Sequence, residues 1–194
     1  WATINSWAWH CRARKGWPTR SAWAISIDSC GLDTKRSNRC ATSGAYRGTF
    51  AGADQGRYTV VVAPSGRVDG LGALTAQLGN FAITGDAPLS LDQNMSITAH
   101  SDQTGATFSG KLTGADTFSG TYARAGTSGG TFTGNRLLGK RDAVYRYAGF
   151  FSDLALPEIG AVTFDVNTLG QVTGVAYGIL RDQLIDFSGT LIAG

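Results

Sequence analysis

The stretch GATFSGKLTGADTFSGTYARAGTSGGTFTG, residues 105–134, decides how the chain is read. Thr-Phe-Ser/Thr-Gly occurs three times in it, starting at Thr107, Thr117 and Thr131, with Gly-, Asp- and Ser-rich turns between. Strict alternation places each Phe and the Gly two residues later on one face of a strand, and Thr with Ser or Thr on the other. The pairs are Phe108 with Gly110, Phe118 with Gly120 and Phe132 with Gly134. Thr and Phe suit a pleated, half-buried surface. A ring beside a bare glycine predicts aromatic side chains lying over glycines of neighbouring strands in a curved sheet. If the rings point inward, Phe108, Phe118 and Phe132 are buried, and Thr107, Thr117 and Thr131 are exposed.

Working outward, Tyr46 onward carries the same signal. Strands are expected at 46–51, 57–63, 67–75, 80–85, 94–99, 105–112, 116–123 and 129–136, with turns at 53–56, 63–66, 85–88, 114–116 and 126–129. Short strands joined by short turns pair as consecutive hairpins, because a parallel pairing needs a crossover of about a dozen residues. The fold class expected is all-β: an antiparallel up-and-down meander of eight strands, closed as a barrel or packed as a sandwich, followed by a partial second copy. Four matches in order carry the second copy. GRYTVVV at 56–62 matches GAVTFDV at 160–166, and GRVDG at 66–70 matches GQVTG at 170–174, both shifted by 104. Upstream, YRGTF at 46–50 matches YAGFF at 147–151. Downstream, FAITG at 81–85 matches FSGTL at 187–191. The resulting map is a Trp/Cys/Arg-rich leader over 1–44, a β-meander domain over 45–137, a linker over 138–144 and a partial copy over 145–194.

Composition separates the leader from the rest. Residues 1–45 carry seven basic and two acidic side chains, whereas 46–194 carry ten and twelve. All five Trp and all three Cys lie in the first part, and all nine Phe and six Tyr in the second. The net charge of +3 therefore belongs to two compositions and does not describe one basic protein. The chain opens without Met, which reads as a processed or fragmentary start. Arg12, Arg14, Lys15 and Arg20 precede a short apolar run ending at Cys30, the order of a signal peptide, but the run is at the minimum length and Asp28 fits it poorly. The leader is read as a poorly structured, non-core segment, or as one translated from another frame. No run approaches 18 apolar residues, so no membrane-spanning helix is expected.

Tyr46-Arg-Gly-Thr-Phe-Ala-Gly52, Gly66-Arg-Val-Asp-Gly70, Ala106-Thr-Phe-Ser-Gly110 and Gly130-Thr-Phe-Thr-Gly134 resemble the glycine-rich Gly/Thr/Phe β-meander repeats of bacterial surface proteins and lipoproteins. More loosely they are similar to the eight-stranded barrel of transferrin-binding-protein-like lipoproteins. The resemblance covers 46–194. It implies an exported, periplasmic or cell-surface location and a binding or structural role, and it brings no catalytic residues. Avidin-like and lipocalin barrels share the meander, but their pocket tryptophans have no counterpart after Trp23.

Chemistry-bearing residues are sparse. His10, Cys11, Cys30 and Cys40 lack the C-x₂₋₄-C spacing of a zinc site, so no metal site is expected. A Cys30–Cys40 disulfide is the better reading in an exported protein. His100 and Asp102 are the elements of a catalytic pair, but i and i+2 side chains on a strand usually stand too far apart to bond, and a solvated strand end is preferred. Aspartates in GADQG and GADT sit where Asp caps a turn and lack the run of a calcium loop. Arg136, Lys140, Arg141 and Arg146 form a local basic cluster without interleaved aromatics. It reads as a solvated linker, not as a nucleic-acid surface. Glu158, the sole Glu, falls in a Pro-bearing turn.

Two functions follow. The first is a non-enzymatic exported or surface β-domain that binds an unidentified protein or surface partner, or is structural, with no cofactor and with self-association through the edge of the second copy. The second is a small-ligand carrier whose barrel interior is lined by Tyr46, Phe50, Tyr58 and Phe118. An eight-stranded barrel is wide enough either to fill itself or to hold one small ligand.

Overall fold

The computed structural model describes residues 27–31, 42–76, 79–87, 96–114, 116–137, 145–153 and 157–191. These form strands β1 (Ile27–Gly31), β2 (Gly44–Gly52), β3 (Gly56–Val62), β4 (Arg67–Leu74), β5 (Asn80–Asp86), β6 (Ser96–Ser101), β7 (Ala106–Leu112), β8 (Thr117–Arg124), β9 (Thr127–Arg136), β10 (Tyr145–Asp153), β11 (Glu158–Val166), β12 (Gln171–Gly178) and β13 (Gln183–Thr190). Strands β2 to β9 pair in chain order, all antiparallel, and β9 returns to β2 to close an eight-stranded barrel. A second sheet has the order β1-β10-β11-β12-β13. The barrel strands begin and end within about two residues of the expected limits, because alternation and turn residues agree locally along 46–136.

Alternation also gives the faces. Phe118 and Phe132 are buried in the barrel, Phe108 is half-buried, and Thr107, Thr117 and Thr131 are exposed. Phe108 is less covered because β5 and β6 pair over only three residues, Thr84–Asp86 with Thr98–His100, so the wall beside it is short. The interior holds eight rings: Tyr46, Phe50, Tyr58, Phe81, Phe108, Phe118, Tyr122 and Phe132. Six of them stand directly across from a glycine on the adjacent strand: Phe50 from Gly56, Tyr58 from Gly48, Phe81 from Gly72, Phe118 from Gly134, Tyr122 from Gly130 and Phe132 from Gly120. A Cβ on Gly134 would stand 2.6 Å from Cε1 of Phe118, and one on Gly120 would stand 2.6 Å from Cζ of Phe132. The rings occupy the volume that side chains on the facing strand would need.

The second sheet repeats the first four barrel strands and occupies five of the eight barrel positions. Its registers place β11 and β12 at the expected shift of 104 from β3 and β4, β13 at the same 104 from β5, and β10 at 101 from β2. Gly160 lies across from Phe151 as Gly56 does from Phe50. The fourth sequence match finds the right strand and face but slips by two residues: Phe187 pairs with Gly174, whose counterpart Gly70 pairs with Ile83, not with Phe81. Within the segment read as leader, Ile27–Gly31 pair antiparallel with β10, where β9 pairs with β2 in the barrel. The linker 138–144 lies outside the described residues.

The two sheets dock back to back. Ala45 and Val61 of the barrel wall pack with Ala148, Ala161, Tyr177 and Ile179. Thr59 and Thr163 are equivalent and fully buried, and each hydroxyl donates to the carbonyl of an equivalent tyrosine, Tyr46 at 2.9 Å and Tyr147 at 3.1 Å. Arg57 pairs with Asp182 at 3.2 Å, Tyr177 donates to Asp182 at 2.9 Å, and the Arg47 guanidinium lies over the Tyr177 ring.

The face assignment has a direct test in stability. Phe118→Ala is expected to cost about 3–5 kcal/mol and Thr117→Ala well under about 1 kcal/mol, measured by denaturant unfolding. Gly120→Val should cost at least about 1–3 kcal/mol, since its side chain overlaps both the Phe132 ring and the β7 backbone. A neutral Phe118→Ala would refute the inward packing.

Candidate functional site

The interior of the barrel is where the ligand-lining residues were expected, and it is built in two layers. Tyr46, Tyr58, Phe118 and Phe132 form one: Tyr46 meets Phe118 edge to face at 5.3 Å, Tyr58 meets Phe118 at 5.9 Å and Phe132 at 6.0 Å. Phe50 stands in the other, against Phe81 at 6.0 Å and Tyr122 at 5.8 Å. Of the four nominated residues the structure therefore groups Tyr46, Tyr58 and Phe118, and places Phe50 nearer the opposite end. Edge-to-face rings at such distances add roughly 0.5–1.5 kcal/mol per pair beyond area burial. The remaining lining residues, Phe81, Phe108, Tyr122 and Phe132, follow from the same alternation. Two of them sit in the Thr-Phe motifs, and Tyr122 is four positions after Phe118.

Both ends are held shut by polar contacts. At one end the Tyr122 hydroxyl donates to the Asp54 carbonyl at 2.9 Å and accepts from the Asp54 N–H at 2.9 Å, and Arg124 pairs with the Asp54 carboxylate at 3.2 Å. The space at this mouth, lined by Phe50, Leu74, Phe81, Phe108 and Tyr122 among others, is about 10 Å³, the scale of a single water. At the other end Tyr46 donates to the Thr42 carbonyl at 2.6 Å, and the buried Arg136 guanidinium donates to the Ser43 carbonyl and lies 3.9 Å from Asp116. Burial lowers the Arg136 pKa, and the neighbouring Tyr46 acts against that shift.

One interior polar atom stands apart. The Tyr58 hydroxyl is buried, points at Gly48 and Gly134, and has no hydrogen-bond partner among the described residues. Burial raises its pKa far above the ordinary tyrosine value. Burial likewise raises that of Tyr46, with Arg136 pulling the other way.

The other nominated residues are dispersed. His100 and Asp102 lie outside the barrel, 3.6 Å apart and exposed, and His100 also meets the Thr84 hydroxyl at 3.3 Å. The i, i+2 pair thus approaches more closely than strand geometry suggests, since Asp102 has entered the turn. Arg136 and Arg146 are not part of a solvated linker. Arg136 plugs the barrel, and Arg146 makes a two-pronged pair with buried Asp165 at 2.8 and 3.1 Å. Lys140 and Arg141 lie outside the described residues, as do His10, Cys11 and Cys40, so the Cys30–Cys40 pairing falls outside them too. Glu158 opens β11 instead of lying in a turn. Its carboxylate accepts from the N–H groups of Leu180 at 2.8 Å and Arg181 at 3.1 Å, fixing the β12–β13 turn. Among the described residues no three His, Cys, Asp or Glu cluster as metal ligands, and no helix is long and apolar enough to cross a membrane.

Comparison with family models, curated proteins and solved structures finds no match. The site has to be read from its own geometry.

Two measurements check that geometry. Tyr58→Phe removes a buried hydroxyl that no described group satisfies, so stability should stay level or rise by about 1 kcal/mol; a clear loss would show the hydroxyl to be engaged. Alkaline titration tests the buried phenols. Tyr46 and Tyr58 keep their protons in the fold, whereas unfolded tyrosines ionise near pH 10, so the unfolded state binds fewer protons above that pH. Stability should be full below about pH 10 and fall above it by up to about 1.4 kcal/mol per pH unit for each such tyrosine. Unfolding should coincide with the rise in tyrosinate absorbance. Tyrosinate appearing well before unfolding would mean these hydroxyls are accessible.

Proposed function

We propose that the chain is a non-enzymatic, exported or cell-surface β-domain with a binding or structural role, its barrel serving as a solid support whose outer surface meets the partner. The observation that carries this reading is the filled interior: eight rings pack together, six of them over glycines, and both ends are tied shut by Tyr122 with Asp54 and by Arg136 with Ser43. Contacts with a partner then fall to the outside. The wall formed by β7, β8 and β9 offers an exposed array of short hydroxyl side chains, with Thr107 on β7, Thr117 and Thr121 on β8, and Thr131 and Thr133 on β9. Thr121 and Thr131 stand directly across from each other. Such a face is polar and stiff, because β-branched side chains have few rotamers to lose on contact, and its one charge on β7 is Lys111, across from Ser119. The exported or surface location rests on the resemblance to Gly/Thr/Phe meander repeats.

A small-ligand carrier is the second reading, and the observation that favours it is the unpartnered Tyr58 hydroxyl at the centre of the interior. Native mass spectrometry of the purified chain separates the two. The support reading expects the mass of the polypeptide alone, together with labelling of the Thr face, and not of the interior tyrosines, by reagents applied to intact cells. A stoichiometric small molecule released on unfolding would overturn it in favour of the carrier.

A further inference from the structure

Among the described residues the second sheet has no strand beyond β13, and one glycine marks the spot. Gly189 has nothing within 4 Å of where a Cβ would stand. Its counterpart in the barrel, at the same shift of 104, is Gly85, where a Cβ would stand 2.5 Å from Cα and 2.7 Å from Cβ of Ala99. Ala99 belongs to β6, which pairs with β5 through Gly85. The space beside Gly189 is thus the place of a further strand, and among the described residues none occupies it.

The backbone of β13 is set up to receive one. The Leu191 N–H donates to the Gly170 carbonyl at 2.8 Å, which fixes the parity of the β12–β13 ladder. Ile185, Phe187 and Gly189 turn their backbone groups toward β12, whereas Leu184, Asp186, Ser188 and Thr190 turn theirs outward. Edge strands are usually blunted with Lys, Pro or a bulge. Gln183–Thr190 contains no Lys, Arg or Pro, and its single charge is Asp186. Leu184 and Leu191 at its two ends are 46% and 41% exposed.

We propose that β13 pairs antiparallel with β13 of a second copy of this chain, about a two-fold axis at Phe187. The two second-unit sheets then join edge to edge. In this register Asp186 faces Ser188 of the second copy, Leu184 faces its Thr190, and Phe187 faces its own equivalent. Ile185 comes to lie across from the open Gly189, in the large-across-glycine arrangement that six of the barrel's rings adopt. A centre one residue earlier sets Asp186 against Asp186, a like-charge pair that is disfavoured. A centre one residue later shortens the overlap of the two strands. The pairing is independent of what the barrel wall contacts.

The test is sedimentation velocity and light scattering of the full chain across a concentration series from micromolar to hundreds of micromolar. A concentration-dependent dimer is expected. Ser188→Pro removes an N–H that points away from β12 and should abolish dimerisation while leaving the circular dichroism unchanged. Because Asp186 faces position 188, exposed Ser188 gives two variants of opposite sign: Ser188→Asp should weaken the dimer several-fold, and Ser188→Lys should tighten it several-fold. A monomer at every concentration overturns the proposal. So does a dimer indifferent to all three variants, and a dimer that both charged variants weaken refutes the register.

Discussion

The whole structure depends on an exchange of volume across neighbouring strands, a ring on one and a bare glycine on the other. An eight-stranded barrel leaves room for little more than its own side chains. Eight aromatic residues would overfill it if each faced another large residue. By setting Phe50 against Gly56, Phe81 against Gly72, Phe118 against Gly134 and Phe132 against Gly120, the chain lets each ring lie on the backbone beside it. The same glycines, lacking a Cβ, allow the strong local coiling that closure requires. Ring and glycine therefore act as one unit: the ring supplies the apolar area, and the glycine supplies both its space and the curvature of the wall.

This unit recurs in the second sheet, where Phe151 faces Gly160 and Phe187 faces Gly174, yet the two sheets meet through a different chemistry. Their contact is made by outward side chains, among them the small Ala45, Thr59, Ala148, Ala161 and Thr163 of equivalent strands beside the larger Val61, Tyr177 and Ile179. Small residues bring the two walls close, and a threonine hydroxyl buried there must find an acceptor. Both Thr59 and Thr163 find it on the neighbouring strand of their own sheet, so neither depends on the other unit for satisfaction. Polar contacts between the units gather at one place, where Asp182 takes both Arg57 of the barrel and Tyr177 of its own sheet. Asp182 has a positive φ of 54°, a conformation Asp tolerates better than most residues, and its two partners hold the turn in that shape.

What was legible in the sequence was whatever repeats with period two. Strand limits, ring-in and threonine-out faces and the four nominated interior residues follow from alternation, the second copy follows from matched segments, and the interior contains each of those four. What escaped was set by contacts distant in the chain. Arg136 ends a strand in a run of basic residues, and nothing local distinguishes it from Arg141. Its burial arises because β9 closes onto β2 and brings it against Ser43, 93 positions away. Glu158 follows a proline and looks like a turn residue until Leu180 and Arg181 fold back to offer it their N–H groups. The strand Ile27–Gly31 gives too few residues to show a period, and its partner Tyr145–Gly149 lies more than a hundred positions on.

The difference between the two units lies in which strands complete the circle. In the barrel the first strand, β2, has hairpin partner β3 on one side and β9 on the other, so every edge is consumed. In the second unit β10 has the corresponding partner β11, while the place of β9 is taken by the short β1 from the far end of the chain. Five pairs connect β1 to β10, against seven between β2 and β9. No described strand then links β1 to β13. Among the described residues this sheet has two edges, and of these β13 is the longer. The ring–glycine unit that shapes both sheets thus gives different outcomes. Where eight strands share it, the interior is sealed and the edges vanish. Where five do, the same packing leaves Gly189 uncovered beside an unpaired ladder, and the surface of the second unit is set by a strand position rather than by any particular side chain.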